Sequence, residues 1–137
     1  MLILRNAADV ALIADPAVQA LIALRYRQLN SPDVLDAPDA ELIVVEGGDA
    51  VSEIEAAAGL PILHGLFDDL PFGHPDFAPC FDILEEHIHG NTRIYEMVCI
   101  GNDDGAATAI FVADTEGIPS DLLALCRSFA TPAVTSP

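Results

Sequence analysis

The sequence predicts an α+β fold: a small, mostly antiparallel sheet with helices packed against it in a single domain. Three observations carry this prediction. Residues 93–101 and 106–113 are rich in branched and aromatic side chains, and the Asn102-Asp103-Asp104-Gly105 stretch between them has the composition of a hairpin turn. Residues 41–46 enclose Leu42, Ile43, Val44 and Val45, a short branched run of the kind buried on both faces of a sheet. Helical start and stop signals bracket residues 16–29, 50–58 and 120–130. With 137 residues and 52% hydrophobic content, the chain can bury a core without a disulfide or metal staple. Residues 1–130 read as one α+β domain and 131–137 as a flexible C-terminal tail.

Each element has a local reason. Asn6 can cap a short helix over residues 7–13, and Asp15 followed by Pro16 combines a capping side chain with proline at the first helical position. The helix that follows runs to about Leu29, with Val18, Leu21, Ile22 and Leu29 on its buried side. Arg25 and Arg27 suit the negative end of its dipole. Residues 30–40 hold Pro32, Pro38 and three aspartates and read as an exposed acidic loop. After the 41–46 strand, Gly47 and Gly48 turn the chain, Asp49 caps a helix over 50–58, and Gly59 and Pro61 end it.

Residues 61–79 interleave Leu66, Phe67, Leu70, Phe72 and Phe77 with Pro71, Gly73, Pro75 and Pro79. This mixture packs without regular structure, apart from a short strand at 62–64. Long irregular segments often border functional sites. Residues 80–89 read as a helix with Phe81, Leu84 and Ile88 on one side, closed by Gly90 and Asn91. In the last helix Leu122, Leu125, Cys126 and Phe129 follow the spacing of a buried face.

The charge balance bounds the function. Twenty-two acids stand against five arginines, lysine is absent, and the formal net charge is -17. No lysine or arginine interrupts the fourteen carboxylates between Arg27 and Arg93. Such a surface repels nucleic acid and anionic lipid, so neither direct nucleic-acid binding nor a membrane surface is expected. No run approaches the roughly 18 apolar residues of a membrane span, and the N-terminal stretch is not an export signal. Cys80, Cys99 and Cys126 are far apart and form no CxxC pair, which suits a reducing compartment. The expectation is a cytoplasmic protein, with Cys99 and Cys126 filling apolar positions.

Two sets of residues compete as the site. The first is the acidic surface itself, with Asp68 and Asp69, and Glu85 and Glu86, as candidate contacts for the Arg and Lys side chains of a basic protein. The second is His64, His74, His87 and His89, which lie near Asp68, Asp69, Asp76, Glu85 and Glu86 and could hold a divalent metal if they converge. On a helix, His87 and His89 point to different sides, so they converge only where the helix has ended. The HExxH spacing, a GxSxG motif and a P-loop are all missing.

Two stretches, IYEMVCIGNDDG with IFVADTEGIPSDLLALCRSFA over residues 94–130 and VVEGGDAVSEIE over residues 44–55, resemble small acidic proteins of bacterial plasmids and integrative conjugative elements. The resemblance implies a bacterial accessory protein and supplies no active site. The favoured expectation is a non-enzymatic protein without a cofactor that binds a basic protein partner through its carboxylates, in the extreme as a DNA mimic. The alternative is a metal-binding protein or metal-dependent enzyme centred on the four histidines. A homo-oligomer is the third reading.

Overall fold

The computed structural model describes residues 1–29, 41–65, 70–100 and 107–132. In chain order the elements are β1 (Leu2–Leu4), a 3-10 helix (Ala7–Leu12), α1 (Pro16–Leu29), β2 (Glu41–Val45), α2 (Val51–Ala58), β3 (Ile83–His89), β4 (Thr92–Ile100), β5 (Ala107–Ala113), α3 (Ser120–Phe129) and β6 (Thr131–Pro132). The strands form one six-stranded sheet in the order β1-β2-β5-β4-β3-β6. The α+β class is as the sequence predicts. The sheet, however, is mixed rather than mostly antiparallel: β2 pairs parallel with β5 and β3 parallel with β6, while the other three pairings are antiparallel. The reason is the order of the strands. The β3–β4 hairpin extends the sheet beyond β5, so β5 returns beside β2 running in the same direction.

Because side chains alternate across a strand, the sheet has two apolar faces. Leu42, Val44, Ile94, Val98 and Phe111 meet Val18, Leu21 and Ile22 of α1 on one face. Ile43, Val45, Tyr95, Met97, Ile110 and Val112 meet Ile54 of α2 and Leu122, Leu125 and Cys126 of α3 on the other. β2 lies between β1 and β5, and its Leu42, Ile43, Val44 and Val45 are fully buried. This is the doubly covered strand that its composition predicts, and each such side chain contributes roughly 1.5–3 kcal/mol.

The helix ends follow the sequence at three places and depart from it at one. Asn6 accepts the Asp9 N–H, Asp15 accepts the Ala17 N–H at 2.9 Å, and Gly59 closes α2 in the left-handed region at φ 74°. Asp49 does not cap α2. The cap position is Ala50, whose side chain has no acceptor, and only the reciprocal contact forms, from the Ala50 N–H to the Glu53 carboxylate at 3.4 Å.

The largest correction is at residues 80–89, which do not form a helix: Ile83–His89 is strand β3, paired along its length with β4. The expected tail also begins with a strand, since Thr131 and Pro132 pair with Glu85 and Glu86, and the expected strand at 62–64 is a single bridge between His64 and Pro71. Phe129 is not core. It is 40% exposed and gathers the rings of Phe72, Phe77 and Phe81 around it. The acidic loop at 30–40, the turn at 102–105 and the last five residues lie outside the described residues. Among the described residues no helix is long and apolar enough to cross a membrane.

Candidate functional site

On the α1 face of β4, one side chain breaks the apolar pattern. Glu96 sits between Ile94 and Val98 and is fully buried. The antiparallel register sets Glu85 of β3 directly opposite it and His87 opposite Ile94, so all three project from the same face. Arg25 of α1 reaches down onto Glu96 with two parallel bonds, Nε to Oε1 at 2.9 Å and Nη2 to Oε2 at 2.8 Å. His87 Nε2 lies 2.7 Å from Glu96 Oε1. An ionised carboxylate only accepts, so Nε2 carries the proton.

Burial by itself raises the pKa of the Glu96 carboxyl. The His87 hydrogen bond, then the Arg25 bonds and the Arg25 charge, more than offset it and hold Glu96 below the usual glutamate value. Removing a carboxylate from water costs several kcal/mol, which only such a complete set of partners can offset. Arg25 is therefore held by a tertiary contact, and of the two arginines only Arg27 lies in the last turn of α1, where the dipole acts.

The four histidines do not converge. His64 is exposed at its bridge with Pro71, His74 is exposed with its Nδ1 accepting the Asp76 N–H at 3.0 Å, and His89 is exposed near the end of β3. Among the described residues, one group brings three potential metal ligands within 4.8 Å of one another: Glu85, His87 and Glu96. Glu85 Oε2 lies 3.8 Å from His87 Nε2, too far for a hydrogen bond. A divalent cation there would have to displace the proton on Nε2 and lie beside the Arg25 guanidinium.

Of the four expected partner contacts, Asp68 and Asp69 lie outside the described residues. Glu85 and Glu86 are strand neighbours and so point to opposite faces. Glu85 faces His87, and Glu86 pairs with Arg93 Nε at 3.3 Å.

A second acidic region lies at the C-terminal ends of the parallel strands β2 and β5. The Gly48 N–H bonds the Gly117 carbonyl at 3.0 Å, which ties the loop after β2 to the loop after β5. Gly47 is at φ 124°, and a Cβ there would lie 3.2 Å from the Glu116 carbonyl, so glycine is what allows the loops to touch. These loops and the first turns of α2 and α3 present Glu46, Glu53, Glu116 and Asp121, the last three exposed. A hollow of about 290 Å³ beside Glu46 is lined by Ala14, Asp15, Val18, Glu46, Ala113 and Thr115. Among the acids whose burial is described, only Glu96 is buried.

Neither Cys126, which is buried, nor Cys99, which is half-buried, offers a ready nucleophile. Burial, with a smaller contribution from Asp114, pushes the Cys126 thiol up to about 12, and burial with Asp82 pushes Cys99 up to about 11.

Sequence reasoning missed Arg25 and Glu96 as a pair. A signal was present: Glu96 is the one charge within the apolar run from Ile94 to Ile100, and a buried acid needs a cation. No protein-family model, curated protein or solved structure matches the chain.

Proposed function

We propose that this chain is a non-enzymatic binding protein that docks a basic protein partner through its carboxylate-rich exterior. The observation that carries the reading is the placement of Glu46, Glu53, Glu116 and Asp121 at one end of the sheet, on the two loops that the Gly48–Gly117 bond holds together and on the first turns of the helices that follow them. Carboxylates fixed on short loops and helix starts steer a cationic surface and accept charge-assisted hydrogen bonds from its Arg and Lys side chains. Glu85 and Glu86 point to opposite faces of the sheet and Glu86 is paired with Arg93, so they do not present a joint contact, and the docking surface is assigned to the end of the sheet where several carboxylates gather. In the DNA-mimic version of the reading, these carboxylates occupy the groove of the partner that would otherwise hold phosphates. The mobile-element setting rests on the sequence resemblance alone.

Capture from bacterial lysate by the immobilised protein tests this. Bound basic proteins should be released between about 50 mM and about 500 mM salt, as screening shortens the reach of surface charge. No capture, or capture indifferent to salt, contradicts the reading.

The convergence of Glu85, His87 and Glu96 favours a second reading, a divalent-metal site. Elemental analysis of the purified protein separates the two. The metal reading requires stoichiometric metal that His87→Ala removes, and the docking reading requires none.

A further inference from the structure

We draw no further inference here: the strongest candidate, the Glu85–His87–Glu96 cluster on the α1 face of β3 and β4, belongs to the site already described, and both oxygens of its buried carboxylate are taken by Arg25 and His87, so it offers no unpartnered buried group that points to a further ligand.

Discussion

Arg25 and Glu96 stand 71 positions apart and meet in a two-pronged ion pair that clamps α1 onto β4. The acid is wholly buried and the arginine side chain is 23% exposed, so the pair lies at the inner margin of the core. His87 completes it from the neighbouring strand, and three separate segments thus depend on one carboxylate.

Breaking this pair from one side strands a charge. Glu96→Ala is expected to lower unfolding stability by about 3 kcal/mol, read as a shift in the urea midpoint. Arg25→Met together with Glu96→Leu should cost clearly less than the sum of the single changes, with a coupling of about 2 kcal/mol. Strictly additive losses would show that the two side chains do not act as a unit.

Glu96 also gives stability a pH dependence of known sign. Its folded pKa lies below that of an unfolded glutamate. The contribution is therefore fully present above about pH 4.3 and is lost as pH falls through the lower folded value. The stability gap between the native chain and Glu96→Gln should be wider at pH 7 than at pH 3 and should keep narrowing as the solution is acidified further. A gap that stays constant or widens on acidification would refute the assignment.

The thiols provide an independent check on the second core face. Cys126 is buried with its pKa pushed up to about 12, from an ordinary 9.0. At pH 8 its alkylation should be about a thousandfold slower in the folded protein than in urea, on thiolate fraction alone. Equal rates in the two states would mean that α3 does not cover the sheet.

Much of the fold was legible because local signals and tertiary demands agree. Asp15 with Pro16 starts α1, Gly59 ends α2, and the branched run from Leu42 to Val45 is buried on both faces. β3 was illegible because its two faces carry different chemistry. Leu84 enters the apolar core beneath α3, whereas His87 and Glu85 face a polar network supplied by a helix far away in sequence. With Ile83 and Ile88 both about half exposed, no simple alternation of apolar and polar residues remains, and Phe81, Leu84 and Ile88 imitate a helical stripe. Reading β3 as a strand also changes the metal argument, since His87 and His89 then share a face, yet only His87 reaches Glu96. The parallel pairing of β2 with β5 left no local mark, because it depends on how the intervening hairpin is laid down.

Affinity for a cationic probe tests the docking proposal most directly. An arginine-rich peptide should bind the native chain, and the triple variant Glu53→Gln, Glu116→Gln, Asp121→Asn should bind it about tenfold more weakly at low salt, as three surface contacts of roughly 0.5 kcal/mol each would give. The difference should vanish at about 500 mM salt. Unchanged affinity in the variant, with its folding intact, would contradict the assignment of that end of the sheet as the docking surface.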